Sequence, residues 1–507
     1  MIEKAARSTG IPGLVFLPVD ERFCTRDYFL HLSEAAGISV KTPPVRYLGA
    51  KKTPPDMERL HSWLEKNVAS GDLLVISIDM LIHGGLIPSR MSVETLQTLN
   101  KRLSILKRIK GMGCSVYASI SVTRTPFYNS AEEEPDYWEY FGERIYDLSR
   151  LLAKRVMDGD MLSSIGTDSV DIPSWIVEDY VTRRERNFAL VEQVLALVAD
   201  GTIDFLNLVL DDNSAESLSL AEARRHAARV DSLGIGDKVA IHAGADESTL
   251  TLLSKSLVDI YGSSPSFEVI YTSPAHRDFI PPYEGSPLHE GVKNHVEAAG
   301  GRIDEKGEIV LLVNNPDSAV ESPDQPEIPE SIAPYSAVFR AIESLKGRVL
   351  GIADVKYVNG ADNYLVRLLL ERFDIDWTRA NFAAWNTAGN TLGTVCAYSI
   401  IEHLGAVGHL KLDEEKLKVL QAIFFLEHWG FQANVRQDLI REAKERGVLP
   451  WTVMPIEEWA AEYTAEKLMP YKEVLDKAMD VDRAGLRVWF PWHRSFEIGV
   501  GLGGADG

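Results

Sequence analysis

The residues best suited to chemistry are two adjacent carboxylates, Asp211 and Asp212, at the end of the apolar run Phe205–Leu210 in FLNLVLDDNS. Such a run reads as a strand buried on both faces, and ligands of α/β proteins collect where parallel strands end. Paired carboxylates supply general acid–base catalysis when one holds a proton and the other is ionised. Neighbouring side chains of a regular strand point to opposite faces, so both reach one pocket only if the chain turns there. The structural alternative is that Asp212-Asn213-Ser214 forms a turn and caps a helix over Ser217–Val230. A second pair, Asp246-Glu247, follows the strand Val239–His242 in HAGADE. It is read either as a further catalytic pair or as the acidic start of a helix over Ser248–Tyr261.

Other strand ends are also polar. Asp20-Glu21-Arg22 closes Leu14–Val19, where the arginine can fix its acids or clamp a substrate hydroxyl or carboxylate. Asp79 closes Leu73–Ile78 and is followed by IHGGLIPSR. There Gly84-Gly85 permits close backbone approach, His83 lies at the mouth, and exposed N–H groups with Ser89 and Arg90 suit an anion, the alternative being a glycine-rich structural turn. Asp354 closes Val349–Ala353 and leads to Asn359-Gly360 and Asp362, a tight-turn signal that also offers groups for hydroxyl recognition. Trp385, Asn386 and Asn390 in AWNTAGNTLG would make a sugar platform, or a buried Trp beside a helix cap. Aromatic and acidic residues crowd Phe127–Glu143 and Pro491–Glu497; both stretches serve a site or simply pack.

The elements that must hold these residues alternate. Nine apolar segments interleave with helical ones, adding Ser39–Lys41, Cys114–Val122, Phe267–Tyr271 and Ile309–Val313 to those named. The expected fold is α/β with mostly parallel strands, either TIM-barrel-like or doubly wound. The strand theme fades past residue 360, where Thr391–Leu404, Asp413–His428, Val435–Arg446 and Ile456–Met479 have helical spacing before a last strand, Leu486–Phe490. The division expected is an α/β body over residues 1–365 and a mainly helical part over residues 366–507 folding back on it. Asp317–Pro334, with four prolines, reads as a linker. No internal repeat of fixed period is visible.

Composition limits the partners. The 507 residues exceed one ordinary core, and 45% hydrophobic with 25% charged is the balance of a globular protein. No run of about 18 apolar residues occurs to span a membrane. MIEKAARSTGIPG lacks an apolar signal region, so the chain reads as cytoplasmic. Three dispersed cysteines, Cys24, Cys114 and Cys396, argue against a disulfide framework or a thiolate zinc site. A net charge of −21 argues against nucleic acid and anionic membrane as partners. GxSxG, HExxH and Walker spacings are all absent.

Together LPVDER, GDLLVISIDMLIHGGLIPSR, LDDNSAES, GADE, DVKYVNGAD, AWNTAGNTLG and FPWHRSFE resemble the bacterial family of domain of unknown function 4127, from about residue 12 to residue 498. Where that pattern has Asp-Asp-Arg-Pro and Tyr-Gly-Gly, this chain has Asp20-Glu21-Arg22-Phe23 and His83-Gly84-Gly85. The resemblance implies an intact enzyme-like architecture and no particular reaction.

The function expected from the residues is glycoside hydrolysis or related polyol chemistry. Asp211, Asp212, Asp246 and Glu247 would be the catalytic acids, and the other strand-end groups would hold a small-molecule or oligosaccharide substrate without a cofactor. One alternative is a hydrolase or lyase using a divalent metal on Asp20, Asp79, His83, Asp211, His242 and Asp246. Another is a non-catalytic carbohydrate-binding protein. All three expect the acidic strand ends to gather on one face.

Overall fold

A computed structural model describes residues 11–157, 171–316, 320–481 and 485–503. The first three residues of the expected linker and most of the N-terminal segment read above lie outside them. The chain forms two compact units. The first comprises Met1–Glu21, Ser39–Leu252 and Tyr283–Ser286, and the second Arg22–Ile38, Leu253–Pro282 and Pro287–Gly507.

The first unit is built on six parallel strands: β1 (Leu14–Leu17), β2 (Val40–Lys41), β3 (Leu73–Ser77), β4 (Ser115–Val122), β5 (Phe205–Leu210) and β6 (Val239–Ala243). Their spatial order is β2-β1-β3-β4-β5-β6. β1, β3 and β5 are buried along their whole length, as expected of central parallel strands covered on both faces. Asn207 is the polar exception in β5. Its amide donates to Ser248 O at 3.2 Å and Thr251 Oγ1 at 2.8 Å, tying the strand to the helix that follows β6. The strands give Val15, Leu17, Ile76, Ile120 and Leu208 to one core, which they share with Leu99, Leu106 and Leu195 from the covering helices.

The second unit repeats the scheme with β7 (Ser266–Tyr271), β8 (Arg302–Ile303), β9 (Ile309–Asn314), β10 (Val349–Asp354) and β11 (Ala380–Ala383), ordered β11-β10-β9-β7-β8 and parallel throughout. In each sheet the first strand lies between the second and the third, so the winding reverses there. With right-handed crossovers, that reversal sends the connecting helices to opposite faces. Both sheets are open, which makes the protein doubly wound α/β rather than a barrel. A two-stranded antiparallel ribbon, β12 (Leu486–Trp489) and β13 (Gly499–Leu502), completes the second unit.

The expected boundary at residue 365 is corrected. It falls inside the helix Asn363–Arg372, and β11 beyond it pairs with β10. Residues 22–38 also count with the second unit, where the Tyr28 hydroxyl donates to Glu427 Oε2 at 2.5 Å. The C-terminal region is helical, as expected. Its helix Ala388–Ala406 is buried from Ala388 to Leu404, and the helices flanking residue 430 run together through a π-helical stretch, Phe425–Val435.

Candidate functional site

The reversal of the first sheet lies between β1 and β3, and β3 delivers Asp79 to its rim. After Ser77 the backbone enters a short helix, Ile78–His83, with the Ser77 hydroxyl accepting from Met80 N at 3.3 Å. Left-handed Gly84 (φ 88°) ends it, and Gly85 (φ 133°) starts a second helix, Leu86–Met91. The expected anion-binding glycine loop is therefore corrected. The N–H groups of Gly84 and Gly85 both reach back to Asp79 O, at 3.1 and 3.3 Å. Ser89 is buried, and its hydroxyl donates to Leu86 O within the helix. His83 is also buried; desolvation, with the charges of Arg186 and Arg102, holds its pKa well below the imidazole range.

β4 bridges the two acidic strand ends. Ser121 N donates to Asp79 Oδ2 at 2.9 Å, while Val122 O on the same strand accepts from Asp211 N at 3.3 Å. Burial pushes the Asp79 carboxyl up to about 7 against the pull of the Ser121 hydrogen bonds, with the charge of Asp211 adding to the rise. Asp79 and Asp211 thus sense each other across β4.

Asp211 and Asp212 do not cap the next helix. That helix, Leu218–Leu233, is capped by Ser217, whose hydroxyl accepts from Leu220 N at 3.2 Å. Each aspartate instead has its own guanidinium. Arg90 donates to Asp211 Oδ2 through Nε at 3.0 Å and Nη2 at 2.6 Å, and Asp211 Oδ1 accepts from Asp212 N at 3.0 Å. Arg124 donates to Asp212 Oδ2 through Nη1 at 2.6 Å. The Phe127–Glu143 segment supplies the links between the arginines: Glu134 Oε1 accepts from Arg90 Nη1 at 3.3 Å and Arg124 Nε at 3.0 Å, and Glu133 Oε2 from both at 3.2 and 2.9 Å. Arg124 Nη2 also donates to the Tyr128 hydroxyl at 2.9 Å.

The result is four carboxylates on two guanidinia, beside Asp79. Burial raises the pKa of Glu134 and of Asp212; Arg124 opposes the rise at Asp212 and Asp211 adds to it. Exposure separates the neighbours: the Asp211 side chain is 7% exposed and that of Asp212 31%. Tyr128, Glu133 and Glu134 come from the acidic and aromatic stretch Phe127–Glu143, read from the sequence as serving a site or packing; Arg124 was not a candidate, although it closely follows the apolar run of β4, a signal of the same kind as Asp211.

Asp246 and Glu247 follow β6, beside β5, and both are buried. Glu247 folds back over left-handed Gly244, its Oε1 lying 3.6 Å from His242 Nδ1. The His242 Nδ1–H donates to Ala243 O at 2.9 Å. The six residues of the metal alternative fit a divalent ion poorly in two places, since His83 sits among arginine charges and Asp211 already holds Arg90. Asp20 is buried at the end of β1, and Glu21 Oε1 accepts from Lys51 N at 2.7 Å. Arg22 belongs to the second unit, with its guanidinium 4.3 Å from the centre of the Trp492 ring.

The remaining expected residues lie in the second unit, so the acidic strand ends do not share one sheet. Asp354 ends β10. Its Oδ1 accepts from Asn314 Nδ2 at 2.8 Å and its Oδ2 from Asp362 N at 2.6 Å. Burial raises its pKa, helped by the charge of Asp362. Asp362 caps the helix Asn363–Arg372 with one oxygen. The other oxygen accepts from Lys356 Nζ at 3.1 Å, Asn314 Nδ2 at 3.2 Å and the Tyr335 hydroxyl. Asn359 and Asn386 are both left-handed, at φ 61° and 53°, and Asn359 N donates to Asn386 O at 3.1 Å. Trp385 is corrected from a sugar platform to packing: it is buried, its indole N–H donates to Thr394 Oγ1 at 3.2 Å, and its ring stacks on His428. Asn390 is buried in the first turn of its helix, where Thr387 Oγ1 accepts its N–H at 3.4 Å.

Fold and site together define a doubly wound α/β protein with two sheets of like order and a carboxylate–guanidinium network on one rim. The chain belongs to the family described as protein of unknown function (DUF4127), whose model matches residues 14–501. No curated protein and no solved structure matches the chain. Among the described residues no helix is long and apolar enough to cross a membrane.

Proposed function

We propose that this protein is a glycosidase-like hydrolase that cleaves its hydroxyl-rich substrate by carboxylate acid–base catalysis at the rim of the first sheet. The observation that carries the reading is the unequal treatment of two adjacent carboxylates, Asp211 under the Arg90 fork and Asp212 a third exposed beside Arg124. Environments that set neighbouring acids apart are how one site obtains a proton donor and an ionised partner. Asp212, whose pKa burial pushes up, is the proton donor to the departing oxygen. Asp211, held by the Arg90 fork, is the carboxylate that assists attack. Asp79 orders the rim through its hydrogen bond to β4.

Turnover of a panel of aryl glycosides and oligosaccharides tests the reading, with Asp211→Asn and Asp212→Asn as controls. Hydrolysis of the oligosaccharides that falls at least about a hundredfold in each variant, measured per folded protein below its melting transition, is the expected result, a loss typical of removing an acid–base group. No hydrolysis of any member, or hydrolysis unaffected by both substitutions, overturns it.

A further inference from the structure

The winding of the second sheet reverses between β7 and β9, and open α/β sheets bind ligands in the crevice outside the strand ends at such a point. Here the crevice is built by side chains. Asn315 clamps the end of β7, its Oδ1 accepting from Ser273 N at 3.0 Å and its Nδ2 donating to Ser273 O at 2.9 Å. Thr272 Oγ1 accepts from Asn315 N at 3.0 Å and donates to Asn314 Oδ1 at 3.0 Å. Beyond this clamp lies a cleft of about 220 Å³ lined by Ser273, Asn314, Asn315, Tyr335, Lys356 and Tyr357, with a proline-rich wall that includes Pro316, Pro326 and Pro329.

The floor limits what fits. Among the described residues Lys356 is the only cation lining the cleft, and its charge is answered by Asp362 at 3.1 Å. Its ammonium also donates to the Tyr335 hydroxyl at 2.5 Å and lies 4.9 and 5.1 Å from the Tyr335 and Tyr357 ring centres. Asp354, behind Asn314, keeps its proton towards neutral pH because it is buried beside Asp362. The floor offers both donors and acceptors, Glu330 adds a carboxylate to the wall so that the lining carries no spare positive charge for an anion, and prolines and tyrosine rings supply apolar faces. Hydroxyl groups need both kinds of partner, and the C–H face of a sugar ring packs on aromatic and proline surface. The volume is below the roughly 300–1,000 Å³ of clefts that hold drug-sized molecules, which restricts the ligand to about one ring.

We propose that this cleft binds a neutral polyhydroxylated molecule of about one sugar ring, with Lys356 and Tyr335 on its hydroxyls and Tyr357 against its apolar face. The inference rests on the second unit alone and does not depend on the hydrolase reading. Saturation-transfer NMR and calorimetry on the full chain test it, using glucose, galactose, mannose, xylose, ribose, glycerol and myo-inositol as probes and gluconate and glucose 6-phosphate as charged counterparts. At least one neutral probe is expected to bind more tightly than either charged one. Lys356→Met and Tyr357→Ala should each weaken that binding about tenfold, whereas Asp211→Asn leaves it unchanged. Tyr357→Ala leaves the hydrogen bonds among Asn314, Asp354, Asp362 and Tyr335 intact, so it remains informative if Lys356→Met fails to fold. The proposal is overturned if no neutral probe binds, if the charged probes bind better, or if Tyr357→Ala leaves the affinity unaltered.

Discussion

Arg90 grips Asp211 with two nitrogens on a single oxygen, at 3.0 and 2.6 Å, and its third nitrogen reaches both Glu133 and Glu134. Both Arg90 and Asp211 are buried. Removing one partner of a buried ion pair leaves the other charge uncompensated, a loss of about 3–5 kcal/mol. Arg90→Met leaves Asp211, Asp212, Glu133 and Glu134 with Arg124 alone. Its unfolding free energy in denaturant should fall by an amount in that range. Arg90→Lys restores the charge without the planar fork and should fall between the two. If Arg90→Met unfolds at the wild-type midpoint, the network contributes nothing to stability.

The hydrolase reading separates the two aspartates by leaving group. A proton donor matters most when the departing oxygen is basic and least when it leaves readily as an activated phenolate. Asp212→Asn should therefore cost about 10²-fold or more in kcat/KM on an oligosaccharide and far less on an aryl glycoside with an acidic phenol. Asp211→Asn should slow both classes. The acid donor also sets the alkaline limb of the pH profile, so that limb should disappear in Asp212→Asn. Equal losses on both substrates would remove Asp212 from the donor role.

Stability should decline as pH rises. Burial pushes Asp79 up to about 7 from 3.8, and Glu402 and Glu427 up to about 8 from 4.5. An acid with a higher pKa in the folded state binds more protons folded than unfolded between those two values. Its contribution to stability is therefore present below about 4 and is lost as pH climbs through about 7 to 8. Glu402 accepts from Asn381 Nδ2 at 2.8 Å, a bond that glutamine can keep through its carbonyl oxygen. Glu402→Gln should melt above the wild type near pH 9 and close to it near pH 5, the gap amounting to a few kcal/mol, since one pKa unit corresponds to about 1.4 kcal/mol. A constant gap across that range would show that Glu402 does not titrate there.

Much of this was legible because central parallel strands carry unbroken apolar runs. Phe205–Leu210, Ile309–Val313 and Val349–Ala353 all appear within a residue of β5, β9 and β10. β11 is only Ala-Asn-Phe-Ala and β8 only two residues, too short for a run to show. The break into two sheets was hidden because strand and helix alternate alike on both sides of it. At the site, Asp79, Asp211, Asp212 and Arg90 were recognisable as strand-end and loop polar groups. Glu133 and Glu134 showed only as members of an acidic and aromatic stretch, because what fixes their role is Arg90, 43 and 44 residues away, together with Arg124, a pairing only the fold creates. Trp385 misled because composition does not show whether an indole faces solvent or, as here, donates to a buried threonine.

The glycine break between the two short helices is what sets Asp79 and Arg90 in place, and it has little freedom. Gly84 is left-handed at φ 88°, and a Cβ there would lie 2.5 Å from Pro55 Cδ and 2.9 Å from Pro54 Cβ. Both neighbours are ring atoms that cannot rotate away. Gly71 is the control, with φ 82° and nothing within 4 Å of an added Cβ. Gly71→Ala should cost only the left-handed backbone term, about 1 kcal/mol. Gly84→Ala should cost that and the clash, about 2–4 kcal/mol in all. Because the helices on either side carry Asp79 and Arg90, it should also lower kcat, which Gly71→Ala leaves alone. Urea unfolding and turnover of the two variants measure both effects; equal midpoints would mean that the Pro54-Pro55 segment yields and does not fix the break.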